Sequence, residues 1–376
     1  HAGKRNTSRE CKKNKVYRQV KYKPEVQKEQ SIPASEIQPG SAKRKKYTGK
    51  WNKRPKYHNI MEGMSANMIK IENLVKRYGN LVALDHLDLE IAKGEIFGLL
   101  GPNGCGKTTA IGCILALLRY DKGEITICGE KMTPESYELK RKIGIVPQEV
   151  AIFDQLTVQE NIDYFCGLYL PDRKKRKEYV EDAITFVGLN DYKKMYPKQL
   201  SGGLLRRLNI ACGIAHKPEI IFMDEPTVAV DPQSRNHILE GIRKLNQTGA
   251  TIIYTSHYME EVEQICTQIA ILDHGQCIAK GTKEELKQMI RTGEKITVEE
   301  AALSDQQLEH IRQMEQVYAV DYQEQVLLVR FDGTDHNIVK LLQYLQEQTI
   351  CFGRVYSELP TLNDVFLEIT GKNLRD

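Results

Sequence analysis

The sequence predicts an α/β protein with an antiparallel β subdomain and a helical insert, followed by a small C-terminal α+β domain. Three observations carry this prediction. Apolar runs at Ile96–Leu100, Glu219–Asp224 and Thr251–Thr255 are strand-length and nearly continuous, as expected of parallel strands covered on both faces. Around Leu87, Leu89 and Ile91, apolar and polar residues alternate, the period of a half-buried antiparallel strand. Between these segments, Val158–Leu170 and Arg176–Val187 carry helical spacing, and a further helix opens after Ser201.

In chain order, residues 1–67 come first. They hold roughly 18 Lys/Arg against about 5 Asp/Glu, so the rest of the chain is net acidic although the total formal charge is +4. Tyr17, Tyr22, Tyr47, Trp51 and Tyr57 lie among these bases, a mixture that would suit an arm for nucleic acid or acidic lipid. The segment has almost no apolar periodicity with which to offset the entropy of ordering. It is therefore expected to be a disordered or non-native extension ahead of a start at Met61, Met64 or Met68. Residues 68–290 form the α/β core, with the helical insert at about 149–215. Residues 291–376 form an accessory domain whose patterns run strand, helix, two strands, helix, strand, helix, a ferredoxin-like order.

The composition excludes several classes. A length of 376 residues allows two or three domains. Hydrophobic residues make up 41% and charged residues 28%, with no apolar stretch approaching the roughly 18 to 20 residues of a membrane-spanning helix. The basic N-terminus is not followed by an apolar segment, so no secretory signal is expected. None of the nine cysteines forms a C-x-x-C pair, which argues against a zinc site or a disulfide framework and for a reducing compartment.

Chemistry concentrates in two motifs. GPNGCGKTT spans Gly101, Pro102, Asn103, Gly104, Cys105, Gly106, Lys107, Thr108 and Thr109, between a predicted strand and a predicted helix. Its glycines let backbone N–H groups turn inward around phosphate oxygens, and the helix adds the positive end of its dipole. Lys107 would neutralise the β- and γ-phosphates of ATP, and the Thr108 hydroxyl would bind Mg²⁺. A P-loop NTPase core follows from this context. In EIIFMDEP, an apolar strand ends in Asp224, placed to hold the Mg²⁺ shell, and Glu225, placed to take a proton from attacking water. Cys105 stands in positive surroundings that favour a thiolate; the competing reading is a small, partly buried packing residue.

LSGG at 200–203 opens a helix pattern about twenty residues before Asp224. Together with the P-loop, the Asp–Glu pair, Gln148 and His257, it resembles the ABC ATPase family over about Met68 to Leu286. The resemblance implies further roles. Tyr78 would stack on adenine. Gln148 would sense Mg²⁺ and water and link to a membrane subunit. Ser201, Gly202 and Gly203 would bind the γ-phosphate of ATP held by the other subunit, through a helix N-terminus. Asp231 would cross the dimer interface, and His257 would contact the γ-phosphate. Three departures stand out: Leu204-Leu205-Arg206 after the signature, Val228-Ala229-Val230 before Asp231, and Cys105. The first would weaken secondary contacts to nucleotide.

The segment PTLNDVFLEITGK at 360–372 resembles the tail of the bacterial drug-exporting class, and also predicts an amphipathic helix with Leu362, Val365, Phe366 and Ile369 facing a core. The resemblance therefore implies an ATP-hydrolysing subunit of an exporter. It would act as a homodimer or paired ATPase on a separate membrane-spanning permease, at the inner face of the cell membrane, with no specific nucleic acid. The alternative is a soluble ABC ATPase acting on nucleic acid or ribosomes. Against it, Lys107 and Ser201 are too close for the long coiled coil of repair ATPases, and only one ATPase core is present.

Overall fold

The computed structural model describes residues 67–333 and 337–371. Residues 1–66 of the expected basic extension, with its aromatic residues and Met61 and Met64, lie outside the described residues, while Asn67 already opens a strand.

Along the chain, β1 (Asn67–Tyr78) and β2 (Leu81–Ala92) form a hairpin, then β3 (Ile96–Leu100) leads into α1 (Lys107–Ile114). Next come β4 (Lys122–Ile127), β5 (Glu130–Lys131), α2 (Tyr137–Arg141) and β6 (Ile143–Val146). The insert contributes α3 (Val158–Tyr169), α4 (Arg173–Phe186) and α5 (Gly202–Ile214). The core resumes with β7 (Ile220–Asp224), α6 (Pro232–Gln247), β8 (Thr251–Ser256), α7 (Met259–Ile265), β9 (Gln268–Asp273), β10 (Gln276–Gly281) and α8 (Lys283–Gln288).

Two sheets build this part. The antiparallel sheet has the order β2-β1-β4-β5, and the central sheet has the order β10-β9-β3-β8-β7-β6. All neighbours in the central sheet are parallel except β10 with β9. The continuous apolar runs are buried along their whole length in β3, β7 and β8, as parallel strands with both faces covered require. Phe97, Leu99, Phe222 and Ile253 point to one core, shared with α1 and the antiparallel sheet through Leu87, Leu89 and Ile91. Ile96, Leu100, Met223 and Tyr254 point to the other, shared with the insert, α6 and α7. The P-loop is thus held at the end of a strand fixed from both sides.

The α4 helix begins at Arg173, three residues before the expected Arg176. Asp172 caps it, accepting from the N–H groups of Lys174 and Lys175. The run Arg173-Lys174-Lys175 contains no apolar residue, so periodicity could not register its first turn.

The C-terminal part contains β11 (Thr292–Val298), α9 (Asp305–Arg312), β12 (Val317–Gln323), β13 (Val326–Asp332), α10 (Asn337–Glu347), β14 (Val355–Glu358) and α11 (Leu362–Thr370). Its sheet order is β12-β13-β11-β14 with antiparallel neighbours, the ferredoxin-like arrangement. Ile296, Val329, Phe331, Leu341 and Leu345 form its own core.

The last helix departs from this domain. Leu362, Val365 and Phe366 of α11 are buried in the core shared by the insert, α6 and α7. The Leu362 N–H donates to Glu263 Oε1 at 2.5 Å, and Lys287 pairs with Glu263 Oε2 at 2.9 Å. Burying each large apolar side chain contributes about 1.5–3 kcal/mol. Ile369, expected in the core, is 39% exposed. It lies in the last turn before Gly371, past the three seated residues, so helical spacing continues after burial has ended.

Candidate active site

The P-loop joins β3 to α1, and Gly106 is the N-cap of the helix with φ of 112°. That angle favours glycine, and a Cβ there would lie 2.7 Å from the Ala83 carbonyl oxygen. The loop can therefore approach β2 this closely only at a glycine. The first-turn N–H groups of α1 have no partner four residues upstream inside the helix and no side chain caps them, an arrangement that suits an anion. Lys107 is buried, and its Nζ donates to the carbonyls of Gly101 at 2.7 Å and Pro102 at 3.0 Å. Asn103 and Gly104 form the exposed tip, while Cys105 is 3% exposed. Burial pushes the Cys105 thiol up, and the Lys107 charge only partly offsets this. Of the two readings of Cys105, this supports the packing residue over the thiolate: desolvation outweighs the positive surroundings.

Asp224 and Glu225, at the end of β7, are both buried. Burial raises the Asp224 carboxyl above its usual range, while hydroxyl hydrogen bonds from Thr255 and Thr108 oppose the shift. The Thr255 hydroxyl donates to Asp224 Oδ1 at 2.6 Å and accepts from the Glu225 N–H at 2.9 Å. Glu225 has φ of 45°, a left-handed conformation that is strained for a glutamate. Its carboxylate is a meeting point. Gln148 Nε2 donates to Oε2 at 3.3 Å, and His257 Nδ1 lies 3.3 Å from the same oxygen without hydrogen-bond alignment. Lys107 Nζ lies 3.6 Å from Oε1.

Ser201, Gly202, Gly203 and Asp231 form a second cluster. Ser201 caps α5 by accepting from the Leu204 N–H, and Asp231 caps α6 by accepting from the Ser234 N–H at 2.9 Å. A Cβ on Gly203 would lie 2.6 Å from Ser234 Oγ, so the two helix starts touch only because residue 203 is glycine. Ser201, Gly202 and Asp231 are exposed. Arg206 links this cluster to the first: it is buried and donates to the carbonyls of Gln148 at 2.7 Å and Pro147 at 3.3 Å. Asn209 holds the same turn, donating to Pro147 O and accepting from the Ala151 N–H, both at 3.1 Å. The departure at 204–206 thus supplies a brace for the segment carrying Gln148. Tyr78 ends β1, 41% exposed, with Lys76 Nζ 4.7 Å above its ring.

The roles of four residues were not foreseen: Thr255, Arg206, Asn209 and Thr227, whose hydroxyl donates to buried Glu261 at 2.8 Å. Each acts through partners 27 or more positions away in the chain, and no local pattern marks such a residue.

Residues 84–228 match the family model described as ABC transporter, and residues 281–370 match the one described as ATP-binding protein DrrA1-3-like, C-terminal domain. The chain is 40% identical over 311 residues to the linearmycin resistance ATP-binding protein LnrL of Bacillus subtilis, covering 82% of this chain and 100% of that protein. The chain belongs to the ABC transporter ATP-binding family. It is 32% identical to the daunorubicin resistance ATP-binding protein DrrA3 of Streptomyces coeruleorubidus, over 83% of this chain and 98% of the relative. Among solved structures, it is similar to a dimeric post-hydrolysis state of the ATP-binding cassette MJ0796 bound to ADP and Pi. The TM-score is 0.53 and the identity 28%, over 57% of this chain and 98% of that one. This ABC protein is an ATP-binding, ATP-hydrolysing transporter subunit. The matches favour that reading over a soluble ATPase acting on nucleic acid or ribosomes. No helix among the described residues is long and apolar enough to cross a membrane.

Proposed function

We propose that this ABC ATPase powers export of a small molecule through a separate membrane-spanning permease, docking peripherally on the inner membrane face. The names of its relatives and the DrrA-like C-terminal match support export. The observation that carries the catalytic part is the carboxylate of Glu225, buried at the end of β7 and met by Lys107, Gln148 and His257. The division into an extension at 1–67, an ATPase domain at 68–290 and an accessory domain at 291–376 belongs to the same reading.

The loop from Gly101 to Thr109 cradles the phosphates through its backbone N–H groups, which every residue but Pro102 supplies, and Lys107 turns from the loop carbonyls toward the β- and γ-phosphates. Tyr78 stacks on the adenine. Glu225 takes a proton from the attacking water as the new oxygen–phosphorus bond forms and the β–γ bridging bond breaks, giving ADP and phosphate. Gln148 and His257 orient that carboxylate, and His257 also reaches the γ-phosphate. Thr108, Asp224 and Gln148 fit Mg²⁺: a hydroxyl, a side-chain amide oxygen and a carboxyl oxygen already held by hydroxyl donors are the hard ligands such a cation takes. When bound, Mg²⁺ neutralises charge on the phosphate oxygens. Exposed Ser201 and Gly202, buried Gly203 and exposed Asp231 suit a nucleotide sandwich in which a second copy presents its signature to this P-loop.

Glu225→Gln tests the assignment. It should keep ATP binding, lower turnover by about 100-fold or more, and accumulate an ATP-bound dimer in size-exclusion chromatography. Turnover near the parental value would remove Glu225 from the role of base.

A further inference from the structure

Glu261, Glu294 and Asp364 are buried acids outside the site described above, and Glu261 is the most deeply buried of the three. Glu261, in the first turn of α7, is 3% exposed. A carboxylate withdrawn from water costs several kcal/mol unless it is well partnered, so its partners show what it is for. Oε2 accepts three hydroxyl hydrogen bonds: from Tyr254 at 2.6 Å, Thr227 at 2.8 Å and Ser256 at 3.1 Å. The Tyr254 and Thr227 hydroxyls are themselves 3.4 Å apart. Oε1 faces Arg235 Nε at 3.3 Å, and neither of these atoms has an aligned hydrogen bond.

Tyr254 and Ser256 both lie on β8, and Thr227, Ser256 and Arg235 reach three different arms of the site. Thr227 is two residues past Glu225, whose φ is 45°, and its hydroxyl ties that turn to Glu261. Ser256 immediately precedes His257, and its Oγ also accepts from the Tyr258 N–H at 2.9 Å, setting the bend through His257. Arg235 lies on the first turns of α6, the helix capped by Asp231, and its guanidinium sits 4.8 Å over the Tyr258 ring.

We infer that Glu261 is a positioning residue for ATP hydrolysis, tying the turn after Glu225, the segment carrying His257 and the helix capped by Asp231 into one unit. The inference rests on the roles assigned to Glu225 and His257 under the proposed function. Its consequence is mechanical. A displacement of Asp231, which is exposed toward a second copy in the sandwich, passes through Arg235 and Glu261 to the two groups that act on the γ-phosphate.

Glu261→Gln tests this closely. The amide oxygen can still accept the hydroxyls, but the amide N–H groups and lost charge break the attraction to Arg235. Arg235→Gln breaks the same link from the other side. Turnover is measured per nucleotide-binding site, beside KM for ATP, thermal midpoint and binding of a fluorescent ATP analogue. Both variants should lose turnover by about 10- to 100-fold with KM and binding within about twofold of the parent. The double variant should be no worse than the poorer single one. A merely structural Glu261 would lower the thermal midpoint and the yield of binding-competent sites while leaving turnover per site parental, and that result overturns the inference. Parental turnover in Arg235→Gln also overturns it, and this variant serves if Glu261→Gln does not fold. Glu225→Gln in the same assay separates the two claims. If it stays active, the site assignment fails; if it is inactive while Glu261→Gln has parental turnover per site, only the positioning role fails.

Discussion

At Cys105 two effects of opposite sign act on one thiol. Lys107, two residues on, favours the thiolate, while burial favours the neutral form, and burial wins. The thiolate is the reactive species, so Cys105 should be slow to alkylate near neutral pH and faster as pH rises. We expect a maleimide to label exposed Cys351 first, with ATPase activity surviving that labelling. The parent and Cys105→Ala should then lose activity at the same slow rate, followed by peptide mass spectrometry and turnover. Preferential early labelling of Cys105 would show the loop to be more open than its burial implies. Arg206 makes a related point. Its position after the signature suggests a weakened nucleotide contact, yet its guanidinium is spent on the carbonyls of Pro147 and Gln148.

Helix ends are where neighbouring elements override local preference. His216 follows the C-terminus of α5, where the helix dipole would favour its protonated form. Instead it is stacked on Tyr169 at 4.0 Å, its Nε2–H donates to the Ile143 carbonyl at 3.1 Å, and its Nδ1 is buried. Burial pushes it down to about 4, against the opposing effect of the carbonyl hydrogen bond. The sign follows from linkage: the unfolded chain takes up the proton first, near pH 6.5, so the stability from neutral His216 is complete above that value. It declines as pH falls toward 4, by up to about 3 kcal/mol. Urea midpoints measured from pH 7 to pH 4 should therefore fall less steeply in His216→Gln than in the parent. Parallel curves would mean that another group governs the acid limb.

At the scale of the whole described unit, α11 joins the accessory sheet to the ATPase core. Leu362, Val365 and Phe366 enter the core beside α7, and Glu368 accepts from the Arg291 N–H at the start of the accessory domain, at 2.6 Å. Val365→Asp places an unpaired charge in that core and should destabilise the protein by about 3 kcal/mol or more in urea unfolding. Ile369→Asp, four residues on but exposed, should stay within about 0.5 kcal/mol. Similar losses in both variants would contradict the seating of α11 described here.

The sequence by itself determined whatever lies in contiguous residues. The nine-residue P-loop between an apolar strand and a helix, the Asp224–Glu225 pair at a strand tip and the strand–helix order of the accessory domain are short-range patterns. Strand and helix periods and the conformational freedom of glycine make such patterns readable. The first three residues of the insert's basic helix, the place where α11 ceases to be buried and the charge state of Cys105 were not readable in that way. They depend on which surface each side chain meets and how much water it loses. Only the tertiary structure decided that Gln148, Lys107 and His257 converge on Glu225, and that Glu261 gathers Thr227, Tyr254, Ser256 and Arg235. The parallel sheet brings strand ends together from distant parts of the chain, and hydrogen bonding among buried polar groups depends on that spatial convergence, which sequence separation does not encode.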